Sequence, residues 1–146
     1  MQATVWSIAM SRCRYTLYLA ALAATSIAFA AFAQDPPYRV IEGAKADPAV
    51  RQGYSVYLAS CMACHGEDAL GTAAAPSLVD SMRAMQKQDF RKIVREGRER
   101  KDGDQDRIMP PFADDAAVAS RLDQLYAYLK ARSDGALLPG RPKPLQ

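Results

Sequence analysis

The chain has 146 residues and a formal net charge of +3, a length that suits a single domain. Its three cysteines and one histidine are too few for a disulfide scaffold and poorly suited to a structural zinc site, which needs four ligands. Residues 1–33 hold two arginines and no acidic residue, so the rest of the chain has 17 basic and 16 acidic side chains, a net charge of +1. This near-neutral balance makes no case for a nucleic-acid partner.

Residues 1–33 have the pattern of an export signal. The two arginines precede an apolar stretch at 15–33 that ends in Ala-Phe-Ala, and a polar, proline-containing segment follows. These are the basic region, the apolar region and the small-residue cleavage site of a secretory signal peptide, with Met10 as an alternative start. We therefore expect a mature chain of residues 34–146 in the periplasm. An uncleaved membrane anchor is the alternative, because 19 apolar residues come close to spanning a bilayer.

A polar, extended lead-in is predicted over residues 34–46, followed by a helix. Asp47 and Pro48 are typical of the N-cap and first position of a helix. Apolar and aromatic residues then recur at helical spacing up to Cys61. Gly53 lies inside this helix at a cost of about 1 kcal/mol relative to alanine. Either another helix approaches closely there, or the glycine is simply tolerated.

The next five residues form a Cys-x-x-Cys-His motif, Cys61-Met62-Ala63-Cys64-His65. This spacing is the attachment signature of c-type haem. Two thiols three positions apart can both add to the vinyl groups of one porphyrin. The adjacent imidazole can then bind the iron on one face of the ring. A zinc site lacks a second half-site in this sequence, and a thioredoxin-like motif would need a βαβ context that is not visible. The motif therefore predicts one covalent haem, held by Cys61 and Cys64 with His65 as an iron ligand.

Downstream, residues 66–80 are rich in Gly, Ala and Pro and are predicted to form a loop, with Pro76 eleven residues after His65. Residues 89–96 have a helical pattern, and Gly97 is a typical helix stop. Residues 101–107 are charged and contain a glycine, which favours a flexible loop.

The last predicted helix begins after Asp114, an N-cap residue type. Its apolar stripe consists of residues at positions i, i+4, i+7 and i+11: Val118, Leu122, Leu125 and Leu129. Residues 133–146 contain three prolines and two glycines, and an irregular tail is expected there.

The charges are unevenly distributed along this half of the chain. Residues 83–101 carry a net charge of +5, whereas residues 102–123 carry −4. Such runs are commonly just solvated surface. They can also form a docking patch that steers a charged partner at long range.

With a single histidine, a second iron ligand must come from another residue type, and methionine is the natural donor. Met62 lies inside the attachment motif, and Met82 and Met85 have the features of apolar packing residues. Met109 lies 44 residues after His65, followed by two prolines that stiffen the segment. Met109 is therefore the predicted sixth ligand. If it were a core residue instead, the iron would be five-coordinate or bound to water.

These features together resemble a class I cytochrome c over residues 47–132. The resemblance implies an all-α fold of three to five helices around one haem c. It implies that Gly53 and Tyr57 pack against Leu125 and Tyr128, which favours the close-approach interpretation of the glycine. It also implies that the carbonyl of Pro76 accepts the second ring N–H of His65.

A narrower resemblance involves four segments and a Gly-Arg-Pro tail. The segments are Cys-Met-Ala-Cys-His-Gly at 61–66, Ala-Pro-Ser-Leu-Val-Asp at 75–80, Met-Pro-Pro-Phe at 109–112, and residues 125–136. They are similar to periplasmic cytochromes c that serve quinoprotein alcohol dehydrogenases. The resemblance implies a monomeric one-electron carrier, not an enzyme. It would accept electrons from a dehydrogenase containing pyrroloquinoline quinone and pass them to a cytochrome or oxidase.

Three alternative functions are also compatible with the sequence. The protein could be a general electron donor to another cytochrome or terminal oxidase. It could be a small haem peroxidase, although the chain has no spare histidine to act as an acid–base group. It could also be a haem sensor in which a gas displaces Met109.

Overall fold

The computed structural model describes residues 35–102 and 105–145, without the side chains of residues 102, 105 and 106. The predicted signal peptide lies outside the described residues. The α-helices are α1 Pro48–Ser60, α2 Met62–His65, α3 Leu78–Ser81, α4 Lys87–Glu96, α5 Ala116–Ala119 and α6 Leu122–Ser133. The strands are β1 Val40–Ile41, β2 Lys45–Ala46, β3 Arg98–Asp102, β4 Gln105–Met109 and β5 Lys143–Pro144, and a 3₁₀ turn spans Glu67–Ala69. Within the described residues, no helix combines the length and apolarity needed to cross a bilayer.

Helix α1 begins where the sequence predicts. The Asp47 carboxylate accepts a 2.9 Å hydrogen bond from the Val50 amide, and Pro48 occupies the first turn. This cap satisfies an amide that would otherwise lack a partner at the helix start. The helix ends at Ser60, so Cys61 is presented at its C-terminal end.

The crossing of α1 and α6 forms the centre of the core. Gly53 lies against α6, where a Cβ on this residue would clash with the Gln124 carbonyl oxygen and come within 2.9 Å of Tyr128 Cβ. The rings of Tyr57 and Tyr128 pack with their centroids 5.4 Å apart. Both tyrosines are fully buried, as is Leu125. Gly53 therefore permits a close helix approach.

The C-terminal helix differs from the prediction. Asp115, not Asp114, is the N-cap, accepting hydrogen bonds from the amides of Ala117 and Val118. The helical run is also divided in two, because Arg121 has non-helical backbone angles of φ −127° and ψ 25°. The predicted apolar stripe is buried across this break: Val118, Leu122, Leu125 and Leu129. Because both helices bury their apolar residues, the helical periodicity continues across the break and does not reveal it.

The predicted helical fold is confirmed in its main elements, but strands are also present, most clearly at the charged segment. Residues expected to form a flexible loop belong to an antiparallel hairpin, β3–β4, in which Arg98 pairs with Met109 and Arg100 with Arg107. The described residues contain six α-helices rather than three to five. The hairpin was missed because charged residues are depleted in strands and show no apolar alternation.

The lead-in and the tail meet in a small sheet. Strand β1 pairs antiparallel with β2, and β2 pairs in parallel with β5 of the tail. The buried Arg132 guanidinium donates a 2.6 Å hydrogen bond to the Leu137 carbonyl and also binds the Asp68 carbonyl. The Asp68 carboxylate accepts from the Gly140 amide at 2.7 Å. The tail is therefore fastened to the turn that follows the Cys-x-x-Cys-His motif.

Candidate haem site

The motif lies beside a cleft of about 230 Å³ that is partly open to solvent. Its lining comes from the end of α1 and from α2, and from the hairpin and Pro110. Most of the remaining lining is apolar, from residues Ala74, Ala75, Leu78, Met85, Ile93 and Phe112.

His65 is the last residue of α2 and is buried, with 8% of its surface exposed. Its Nδ1 lies 2.9 Å from the Pro76 carbonyl oxygen. A carbonyl can only accept, so Nδ1 carries the proton and Nε2 keeps its lone pair. A histidine in this tautomer can bind a metal through Nε2 while the carbonyl fixes the ring and increases its basicity. Pro76 therefore makes the contact expected from the resemblance.

The turn after His65 is tied down by three further hydrogen bonds. The buried Tyr57 hydroxyl donates to the Gly66 carbonyl, the Gly71 amide donates to the His65 carbonyl at 2.7 Å, and the Thr72 hydroxyl donates to the Cys64 carbonyl at 2.5 Å. Burial raises the pKa of Tyr57 to about 12, with the nearby Cys61 as a further cause. Tyr57 therefore stays protonated as a donor near neutral pH. The helical pattern predicts only packing for this residue and gives no sign of the hydrogen bond made by its hydroxyl.

The two motif cysteines differ in exposure. Cys61 is half-buried, and its amide donates to the Tyr57 carbonyl at 2.9 Å, whereas Cys64 is exposed. Burial raises the pKa of the Cys61 thiol to about 11, with the neighbouring Cys64 and Asp115 as further causes. Both thiols are free and line the same cleft as His65. Two thiols and one imidazole at the edge of a largely apolar cleft fit a covalently attached porphyrin.

Met109 ends β4 and lies half-buried in the cleft wall, followed by Pro110. Gly97 makes this path possible, since its φ is +77° and a Cβ there would come within 2.7 Å of the Met109 carbonyl oxygen. The Phe112 amide donates to the Val94 carbonyl at 3.0 Å, which ties the segment after Met109 to α4.

The other methionines among the described residues have different surroundings. Met82 is fully buried in the core, and Met62 is 38% exposed outside the cleft lining. Met85, predicted as a packing residue, also lines the cleft. The structure therefore brings Cys61, Cys64, His65, Pro76 and Met109 to one cleft, together with a second methionine.

Comparison with known proteins identifies the class. The family described as cytochrome c oxidase, cbb3-type, subunit III matches residues 48–129. Cytochrome c-555 of Methylococcus capsulatus (strain Bath) is 35% identical over 126 residues, covering 86% of this chain and 88% of the relative. Cytochrome c-553I of Paracoccus denitrificans is 37% identical over 107 residues, which are 73% of this chain. The match spans about half of that relative, 47% of its length.

A solved structure agrees with these relatives. The crystal structure of the c-type cytochrome XoxG from Methylobacterium extorquens AM1 is similar with a TM-score of 0.63 and 31% identity, covering 76% of this chain and 74% of that one. The chain therefore belongs to this family of c-type cytochromes. It is an electron-transfer protein rather than an enzyme, and its cofactor is haem c, bound covalently through Cys61 and Cys64.

Proposed function

We propose that the protein is a periplasmic one-electron carrier with a single haem, which accepts electrons from an alcohol dehydrogenase containing pyrroloquinoline quinone. It would pass them on to another cytochrome or an oxidase of the respiratory chain. Residues 1–33 are proposed as the cleaved signal, 47–132 as the cytochrome domain and 133–146 as its tail. The observation that carries the carrier function is the cleft that His65 and Met109 both line.

The bound haem would supply one reversible Fe(III)/Fe(II) couple. His65, held by Pro76, and Met109, held by the segment around Gly97, are proposed as its two protein ligands. Two ligands held rigidly in both oxidation states keep reorganisation small, and methionine raises the reduction potential. A raised potential suits an acceptor of electrons from a reduced quinone cofactor. The lining near the proposed ligands is mostly apolar, which lowers the local polarity around the iron.

The choice of donor is supported by the four segments similar to cytochromes of quinoprotein alcohol dehydrogenases. Three of them, residues 61–66, 75–80 and 109–112, contribute to the cleft. A small carrier with a transient partner needs only a limited contact area. The protein would therefore be a monomer that contacts its donor through the surface around the cleft.

Mixing experiments test this donor. We expect the ferric protein to be reduced, under anaerobic conditions, by a dehydrogenase containing pyrroloquinoline quinone once its alcohol is added. Haem absorption reports the reduction. The control is the same dehydrogenase stripped of its quinone. If dithionite reduces the protein but no such dehydrogenase does, the proposed donor is wrong, whereas the electron-transfer class stands.

The basic patch around α4 is the proposed docking rim, with Arg83, Lys87, Arg91, Lys92 and Arg95 as its candidates. The structure pairs three of these with acids: Arg83 with Asp80 at 3.1 Å, Lys87 with Asp123 at 3.2 Å, and Arg91 with Asp123 at 2.8 Å. Lys92 and Arg95 are exposed on α4 and have no such ion pair within the described part of the chain. These two are therefore the strongest candidates for steering.

Charge reversal at the rim has a specific expected effect. At low salt, Lys92→Glu and Arg95→Glu should each slow reduction by the dehydrogenase by about tenfold, because attraction between charged surfaces raises association rates. Stopped-flow rates measured against salt concentration check this. Arg141→Glu, the same charge change on the exposed tail, is the control. A rate that is insensitive to salt in the unaltered protein would remove the steering role.

A further inference from the structure

The hairpin presents two different faces. Side chains alternate along a strand, and directly paired residues share a face. The pairs Arg98–Met109 and Arg100–Arg107 therefore place three arginines on the same face as the proposed iron ligand. All four of these residues line the haem cleft. Glu99 and its partner Ile108 lie on the opposite face of the strands, and of these two only Ile108 also lines the cleft.

This arrangement concentrates positive charge in the cleft. Among the described residues that line it, none is an aspartate or a glutamate. Arg100 and Arg107 are directly opposite each other, a placement that is unfavourable for like charges. Arg98 and Arg100 have no carboxylate partner among the described side chains. Arg107 has another interaction in the chain, so Arg98 and Arg100 carry the argument.

We propose that Arg98 and Arg100 bind the two propionate carboxylates of the haem. This rests on the proposed placement of the haem between His65 and Met109. Arginine suits the task because its planar guanidinium can bind a carboxylate through two parallel hydrogen bonds. A carboxylate at an apolar cleft needs such compensation for lost hydration. The pairing would neutralise the excess positive charge on this face of the hairpin.

The consequence concerns the position of Met109. Arg98 is its direct cross-strand partner, so a propionate bound by Arg98 would anchor the strand that faces Met109. The hairpin would then be fastened to the cofactor both by a sulfur–iron bond and by carboxylate–guanidinium pairs. Such support from groups around a ligand is a common way of fixing metal coordination.

The test uses the holo protein and a vibrational readout. In resonance Raman spectra, the propionate bending band of the haem should shift in Arg98→Gln and in Arg100→Gln. Arg141→Gln, which removes the same charge from an exposed site on the tail, outside the cleft lining, should leave the band unchanged. Arg98→Lys should give an intermediate shift, because lysine keeps the charge but not the paired donors. The reduction potential should fall further in the two cleft variants than in the control.

The experiment separates a failure of the propionate assignment from a failure of the proposed function. An unchanged propionate band in both cleft variants would overturn the assignment. If those variants instead slowed reduction by the dehydrogenase with an unchanged band, the arginines would serve the partner's carboxylates and the assignment would again be wrong. The far-red absorption band of methionine-ligated ferric haem is recorded in parallel. Its absence from the unaltered protein would count against Met109 ligation, whatever the propionate band does.

Discussion

Replacing Met109 by alanine is expected to remove the far-red band of the ferric protein and to lower the reduction potential by on the order of 0.1 V. Axial ligands tune haem potentials over roughly 0.8 V, and loss of a thioether favours ferric iron. The ferrous variant should bind carbon monoxide at neutral pH, because an iron position becomes open. Visible spectra and a redox titration measure all three changes.

Met85 provides the matched control for this experiment, since within the described residues it is the other methionine that lines the cleft. Met85→Ala should keep the far-red band and should not bind carbon monoxide. The reverse result, with Met85→Ala losing the band and Met109→Ala keeping it, would exchange their roles. Binding of carbon monoxide by the unaltered ferrous protein would favour the sensor and peroxidase alternatives.

Gly53→Ala is expected to destabilise the folded protein by roughly 3 kcal/mol or more, at the upper end of typical overpacking costs. In an isolated helix this change would stabilise the helix by about 1 kcal/mol. Packing and helix propensity therefore predict opposite signs for the change in the free energy of unfolding. The added methyl group would clash with the Gln124 carbonyl oxygen of α6. Backbone can move away only if the whole helix crossing opens. Chemical denaturation of the ferric holo protein measures the difference.

The neighbouring Gln52 is exposed on the same helix, which makes Gln52→Ala the appropriate control. It should change the free energy of unfolding by only a few tenths of a kcal/mol, as expected for a surface helix position. A Gly53→Ala protein as stable as this control would show that the close approach of α1 and α6 does not constrain the fold.

Elements built from local contacts could be predicted from the sequence. The cap at Asp47 and the stop at Gly97 involve residues within four positions of each other. The apolar stripe of the last helical region follows from helical periodicity. In the same way, the adjacency of Cys61, Cys64 and His65 dictates a common attachment point. Each of these depends on spacing along the chain, which the sequence displays directly.

Features that join distant segments could not be predicted in this way. Strands β3 and β4 form because their backbones pair with each other, although their side chains are mostly charged. Asp123 pairs with Lys87 and Arg91 because α6 lies beside α4. Met85 reaches the cleft through the path of a loop without regular periodicity. These arrangements result from the packing of whole elements, for which a single sequence contains no local signal.

The sequence by itself therefore determined the attachment chemistry of the cofactor, the helix that presents it, and the class of electron carrier. Only the tertiary structure decided which charged residues are paired, which methionines face the cleft, and that a hairpin rich in arginine forms one of its walls. The physical reason is that covalent attachment, capping and helical periodicity act within a few residues. Burial, strand pairing and ion pairing depend on what the folded chain brings together.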